Sequence, residues 1–297
     1  MELPVVNHPD YVAKINDDNK FPIQKFGALA DHLIKEEVVK KFHIPEECSI
    51  STIKTSHSLK YINQIKNKTL DLKLQKKIGF PINDSVVRRS FVATGGTVLA
   101  SKLALDSKLA CNTAGGSHHA TFECGAGYCV FNDVAVAANY LKNKGYAKKI
   151  LIIDLDVHQG NGNSEIFKND KDVLTFSMHC ASNYPAKKSK SDIDIELTDH
   201  MEDEEYLNIL HNNLKELNEN KYDFVFYVAG VDIHFEDRLG KLKISDDGIN
   251  KRDQIVIENF HSKNTPLCGV LGGGYNKSFE KLIELHSMLH KNCAKII

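Results

Sequence analysis

Compact apolar runs that end in polar residues recur along the C-terminal two thirds of the chain. Lys149 to Asp156 (KILIIDLD) has the length and β-branched content of a buried strand, and Val173 to His179, Asp223 to Gly230 and Leu267 to Gly272 have the same character. Between them the period lengthens. Leu207, Leu210, Leu214 and Leu217 recur at spacings of three and four, which predicts a helix over Asp203 to Leu217 with one apolar face. Val134 to Leu141, Gly248 to His261 and Phe279 to Leu289 are also read as helices. The first 95 residues are read as mainly helical, with Phe26 to Phe42 the most regular segment. This alternation predicts a single-domain three-layer α/β/α sandwich over residues 1–297, its central sheet mainly parallel and its crossovers right-handed. No Gly/Ser/Pro-rich linker or repeat divides the sequence, and the Lys187 to Ser191 stretch reads as a surface loop.

Composition alters this picture little. Apolar residues make up 42% and charged residues 26%, an ordinary globular balance. A net charge of -1 gives no bulk attraction to nucleic acid or to an anionic membrane, so no direct nucleic-acid partner is expected. Seven cysteines, odd in number and with no CxxC pair, predict reduced thiols in a cytoplasmic protein. Met1 to Pro4 lacks a basic region followed by an apolar run, and no stretch approaches the ~18 apolar residues of a membrane span.

Candidate chemistry falls at the predicted strand ends, where open parallel sheets gather their ligands. Asp156 and His158, His179, Asp232 and Tyr275 all occupy such positions. In Asp154-Leu155-Asp156-Val157-His158 a continuing pleat would point two acids and a histidine the same way. A loop starting there would let Asp156 and His158 converge while Asp154 turns elsewhere. Mixed carboxylate and imidazole donors suit Zn²⁺ or Fe²⁺ rather than a Ca²⁺ site, although strand-end acids also serve simply as caps. Asp232, after the run YDFVFYVA, would supply a third donor, and three protein donors leave a catalytic zinc one open position. The tandem His118-His119 lies between Gly115-Gly116 and the run from Gly125 to Cys129, which implies tightly folded backbone around candidate general bases. Gly272-Gly273-Gly274-Tyr275 lacks the context of a phosphate-binding loop and is read as bringing a tyrosine hydroxyl to the same edge.

Taken together, GGSHHATFECGAGYCVFND, IDLDVHQGNG, AGVDIHFEDRLGKLKIS and LGGGY resemble the blocks of the histone deacetylase and acetylpolyamine amidohydrolase superfamily, in order, from about His8 to Leu289. DVHQGNG, DRLGKLKISDDGINKRD and RRSFVATGGTVLASKLAL look most like the class IV branch. The resemblance implies an arginase-like fold and zinc-dependent hydrolysis of N-acyl-lysine amides in a protein or peptide. It implies Asp156, His158 and Asp232 as zinc ligands, His119 as general base and His118 as its electrostatic partner. Asp154 would pair with His118, Asn161 with His119, and Tyr275 would donate to the scissile carbonyl. Gly127 and Tyr128 would line the acyl tunnel, and a K⁺ site would use Asp154, Ser177 and nearby carbonyls. Most relatives carry Asp where Asn161 stands, a change the class IV members share. The acid that grips the substrate backbone in some relatives has no counterpart near Gly79-Phe80-Pro81. Three other functions fit less well: an acetylpolyamine deacetylase, an arginase-like ureohydrolase needing a second cluster of metal donors, and a non-catalytic acyl-lysine reader. Acyl-chain length, oligomeric state and the natural substrate are left open by the sequence.

Overall fold

The computed structural model describes residues 2–16 and 19–297, so of the N-terminal run only Met1 lies outside the described residues. The chain runs through β1 (Val5–Val6), α1 (Lys25–Lys35), α2 (Ile50–Ile53), α3 (Leu59–Lys66), α4 (Leu72–Ile78) and α5 (Asp84–Ser107). It continues through β2 (Leu109–Asn112), α6 (Asp133–Asn143), β3 (Ile150–Asp154), α7 (Asn161–Phe167), β4 (Val173–Cys180) and β5 (Ile193–Leu197). It closes with α8 (Asp203–Leu217), β6 (Phe224–Val228), α9 (Asp246–His261), β7 (Leu267–Val270) and α10 (Phe279–Ile296). The strands form one seven-stranded sheet in the order β1-β2-β7-β6-β3-β4-β5, with every pairing parallel.

Alternation along each central strand explains the layers. Leu151 and Ile153 of β3, with Val225 and Tyr227 of β6, join one apolar cluster with side chains from α1, α8, α9 and α10. Ile150, Ile152, Phe224 and Phe226 face the opposite way and pack with Ala100 and Ala104 of α5 and Val134 to Leu141 of α6. Both faces are therefore buried, which is why these strands read as unbroken apolar runs. No helix among the described residues is long and apolar enough to cross a membrane.

Several expectations are corrected in detail. The helix read over Phe26 to Phe42 ends at Lys35. There the Glu37 N–H reaches the Ile34 carbonyl at 3.0 Å and the Val38 N–H the Leu33 carbonyl at 2.9 Å, with Glu37 left-handed at φ 55°. This is a Schellman stop with glutamate where glycine is usual, so the sequence carries no sign of it. The boundary near residue 95 cuts through α5, whose middle from Ser90 to Thr97 is buried on every side rather than along one stripe. Edge strands β1 and β5 are too short or too polar to show the strand pattern. The Lys187 to Ser191 loop is tied down, with Ser189 N–H donating to Gln159 at 2.8 Å and Ser191 buried 2.7 Å from Ser164.

The strand order locates the site. From β3 the chain moves outward to β4, and from β6 it moves the other way to β7. The adjacent C-terminal ends of β3 and β6 thus open a crevice, as at other topological switch points. Two histidines in the surrounding core set a pH dependence. His57 is hydrogen-bonded to Thr121 O at 2.9 Å and accepts from Asn132 N–H at 2.8 Å, while His290 Nε2 has no partner among the described residues. Burial lowers both to about 4. The unfolded chain, with histidines near 6.5, therefore binds more protons between pH 6.5 and 4. The stability these two groups contribute should be complete above about pH 6.5 and fall as pH drops through this window, by about 1.4 kcal/mol per unit for each group. Urea denaturation from pH 7.5 to 4.5 should show this slope, and His290→Leu should make it shallower. A pH-independent midpoint would contradict the assignment.

Candidate active site and metal centre

β3 ends at Asp154, and the loop that follows separates the three polar residues of DLDVH. Asp154 turns away to accept from His118 Nδ1–H at 2.7 Å. Asp156 and His158 turn together, with His158 Nδ1 3.0 Å from Asp156 Oδ1 and 3.1 Å from Asp232 Oδ2. Donor atoms of Asp156, His158 and Asp232 all lie within 4.8 Å of one another, the one such convergence of three or more His, Cys, Asp or Glu donors among the described residues. Backbone donors latch the loops to each other. Asp232 accepts from Val157 N–H at 2.9 Å, and Asp156 from Gly273 N–H at 2.6 Å.

Electrostatics in this cluster is strained in a way a cation would relieve. Asp156 and Asp232 are both fully buried. Burial and then the charge of Asp156 push Asp232 up to about 7. Burial works against the charge of Asp156 too, yet the facing His118 and His158 hold it well below the usual carboxylate range. One imidazole nitrogen lies close to two acids and has at most one proton to offer them. Two carboxylates and one imidazole, all buried, form a donor set of the kind that holds a catalytic zinc. The residues present therefore fit the metal that the sequence motifs imply.

The histidine pair stands beside this cluster. His119 Nδ1 lies 2.7 Å from Asn161 Oδ1, so Nδ1–H donates and Nε2 is left with its lone pair. Burial, reinforced by His118 and His158, pushes His119 well below 6.5. At His118 burial is outweighed by Asp154 and Asp156, which raise it to about 9. The neighbouring backbone is shaped to admit these rings. Gly127, at φ 53°, leaves no room for a Cβ, which would sit 2.6 Å from His119 Cδ2. Gly116, at φ 75°, would bring a Cβ to 2.6 Å from the Gly272 nitrogen. Asp133 holds the turn before the histidines by accepting from Ser117 N–H at 2.8 Å and Gly116 N–H at 3.2 Å.

Tyr275 N–H donates to Asp237 at 2.6 Å, and its hydroxyl makes no hydrogen bond to the described residues. Enclosure by protein, then the charges of Asp232 and Asp156, raise the phenol well above 10, so it remains a donor at neutral pH. A cavity of about 40 Å³ is lined by His118, His119, Gly127, Tyr128, Asp156, His158 and Tyr275, among others. Every site residue named from the sequence is thus in or beside this crevice, except His179. That residue is buried on β4, 3.0 Å from Ser177 Oγ, and does not join the cluster. Ser177 pairs in register with Asp154 and accepts from Gly160 N–H at 3.2 Å.

Other contributors were not named from the sequence. Tyr184 sets its ring 4.8 Å from that of His119, edge to face, and is 42% exposed, so it marks the solvent side. Phe21, Phe26 and Arg89 line the buried side. Arg252 donates to the Gly230 carbonyl just before Asp232, and its Nε reaches Asp253 at 3.0 Å. The acids Asp133 and Asp237 sit inside the motifs and were legible as polar positions, whereas Tyr184 lies in a Lys-rich loop that looked like plain surface.

Comparison with known proteins agrees with this geometry. The family model "Histone deacetylase domain" matches residues 20–288. An uncharacterized protein of Picosynechococcus sp. is 42% identical over 98% of both chains. Histone deacetylase 2 of Arabidopsis thaliana is 32% identical over 89% of this chain and 71% of its own. A probable deacetylase of Archaeoglobus fulgidus is 29% identical over 85% of this chain and 75% of its own. Among solved structures, the HDA15 HD domain superposes with a TM-score of 0.84 at 21% identity, covering 97% of this chain and 88% of that one. A histone deacetylase homologue complexed with SAHA gives 0.85 at 22% identity, covering 99% and 84%. At those identities the structures speak for the fold, which is the arginase/deacetylase-like α/β/α arrangement, and the domain match speaks for descent: the chain belongs to the histone deacetylase family.

Proposed function

We propose that the chain hydrolyses N-acyl-lysine amides in a protein or peptide, using a metal ion held by Asp156, His158 and Asp232. The observation that carries this reading is the convergence of those three buried donors beside a histidine with a free Nε2 and a tyrosine with a free hydroxyl. Zn²⁺ bound there, or Fe²⁺ in its place, would supply Lewis acidity toward an amide carbonyl and toward water.

The chain's own groups do the rest. His119, whose Nδ1–H is committed to Asn161, accepts a water proton at Nε2 and returns it to the departing lysine amine. His118, fixed by Asp154, faces it from a ring 4.1 Å away and sets the local field. Tyr275 donates its O–H to the carbonyl oxygen as negative charge develops there. Gly127, Tyr128 and Tyr184 border the approach of the acyl-lysine stem. A cavity of about 40 Å³ holds roughly three water-sized groups, which favours a short acyl group over a long chain.

The reading extends further in four respects. On this reading one domain spans residues 1–297, and the Asn161 variant of the HQGNG run supports a class IV type. Asp154 and Ser177, side by side in register, with neighbouring carbonyls, form the K⁺ site. Seven unpaired thiols suit a reducing, cytoplasmic setting. One convergent donor group supports one catalytic ion over the paired ions of a ureohydrolase.

Two measurements test this. On a lysine peptide carrying an acetyl group, Tyr275→Phe and His119→Ala should each lower kcat by at least ~10² with the thermal midpoint unchanged. Near-normal turnover in either variant with metal bound would sink the role assigned to that residue. Zinc content by elemental analysis should be one per chain and should fall several-fold in Asp232→Asn. Chelator treatment should abolish turnover and zinc should restore it. Activity indifferent to the chelator would end the metal-dependent reading.

A further inference from the structure

Arg88 and Arg89 are adjacent on α5 and meet opposite fates. Arg88 is 46% exposed and pairs with two acids, Asp10 at 2.8 Å and Glu47 at 2.5 Å. Arg89 is 7% exposed and has no carboxylate within 4.0 Å among the described residues. Its sole hydrogen bond to them runs from Nε to the Tyr11 carbonyl at 3.0 Å. A guanidinium carries five N–H donors in a rigid fork, so four are left without a protein acceptor. Three phenyl rings surround the group, with Cζ 4.7 Å from the centroid of Phe26 and 5.9 Å from those of Phe21 and Phe80.

This unpaired cation lines the same cavity as His118, His119, Tyr128 and Tyr275. A second cation lies behind the same rings. Lys25 is fully buried, and its Nζ sits 5.5 Å from both Phe21 and Phe26 and 6.0 Å from Tyr275. Nζ donates to the Gly272 carbonyl at 3.2 Å and meets His286 Nε2 at 3.2 Å, again with no carboxylate in ion-pair range among the described residues. Burial lowers both groups, Lys25 to about 8 and Arg89 to about 10, and Lys25 also lies in the field of Arg89. Cation–π contact offsets only part of the cost of burying a charge, at about 2 kcal/mol when desolvated. A fork of free donors facing a catalytic cavity is matched by a carboxylate, which accepts two parallel hydrogen bonds from it.

On the deacylase reading above, we propose that Arg89 is a specificity-determining residue that receives the terminal carboxylate of a short dicarboxylic acyl group, so that malonyl-type N-acyl-lysines are the favoured substrates. A cavity of about 40 Å³ is matched in size by one carboxylate, whereas a long aliphatic chain would have to desolvate the guanidinium without replacing its hydrogen bonds. The reaction needs no further reagent. Water adds across the amide, the C–N bond breaks, and free lysine amine and a dicarboxylate leave.

The test compares one lysine peptide carrying acetyl, malonyl or isovaleryl groups, the last being the neutral shape-match of malonyl. The wild-type chain should show kcat/KM for malonyl at least about tenfold above isovaleryl, the range of a charge-assisted hydrogen bond. In Arg89→Met the malonyl-to-isovaleryl ratio should fall to about one or below, and in Arg89→Lys it should lie between. A ratio is independent of how much of each variant folds. Binding of the same labelled peptides to Tyr275→Phe protein, read by anisotropy, should show the malonyl preference without turnover. A wild-type ratio near one, or a ratio unchanged in Arg89→Met, overturns the proposal and leaves Arg89 as a packing residue. Acetyl peptide cleaved without a malonyl preference removes only this inference; no cleavage of any of the three peptides removes the deacylase reading on which it rests.

Discussion

The organising constraint is the burial of three carboxylates at the seam where β3 and β6 diverge. Asp154, Asp156 and Asp232 are at most 1% exposed. A buried carboxylate costs several kcal/mol unless donors and opposite charge surround it. The loops respond by donating to one another's acids: the β3 loop gives Val157 N–H to Asp232, and the β7 loop gives Gly273 N–H to Asp156. The three loops are therefore shaped by the same charges they enclose. A divalent cation would relieve the arrangement, because the His158 ring can offer no more than one proton at Nδ1 to the two acids it touches.

A second ring of polar groups holds the catalytic side chains in place without reaching the cavity centre. Asp133 fixes the turn ahead of His118, and His57 ties Thr121 to Asn132, so the loop bearing Gly127 and Tyr128 is pinned at both ends. That loop is also clamped to the end of α4, where Tyr128 N–H reaches the Ile78 carbonyl at 2.6 Å. Asp237 collects N–H groups from Leu239, Gly240 and Tyr275 and so sets the tyrosine relative to the acids. Such outer partners position the groups that act, and their loss is felt through those groups. The buried Arg252, tied to Asp253 and to the Gly230 carbonyl, anchors the β6 loop to α9 in the same manner.

Charge on the inner side of the cavity follows a different logic. Around the three acids each negative group has several donors, whereas Arg89 and Lys25 have backbone, imidazole and aromatic faces but no acid. The fold holds these cations by enclosing them in aromatic rings, an arrangement that leaves the remaining donors of Arg89 directed to whatever occupies the cavity. The acids and the aromatic-caged cations thus occupy separate parts of one crevice.

Much of this was legible in the sequence because it depends on local pattern. Compact apolar runs identified β3, β4, β6 and β7, since strands covered on both faces are mostly apolar, with β4 admitting Thr175, Ser177 and His179. Polar residues at the ends of those runs, with the paired histidines and the glycine runs, named the acids, the bases and the tyrosine, because chemistry at the edge of a parallel sheet must begin where a strand stops. Other features depend on which distant residue lies opposite. The end of α1 rests on glutamate adopting a left-handed turn, and α5 hid its helical period because its middle, from Ser90 to Thr97, is buried all round. Arg88 and Arg89 are identical as residues, and a 100° step around a helix gives one to solvent and acids and the other to a cage of phenyl rings. Tyr184 likewise joined the site only when loops far apart in sequence closed on it. Sequence by itself determined the central strands and the polar residues at their ends, through patterns confined to neighbouring residues. Tertiary structure decided which charges are paired, because pairing is a property of three-dimensional proximity.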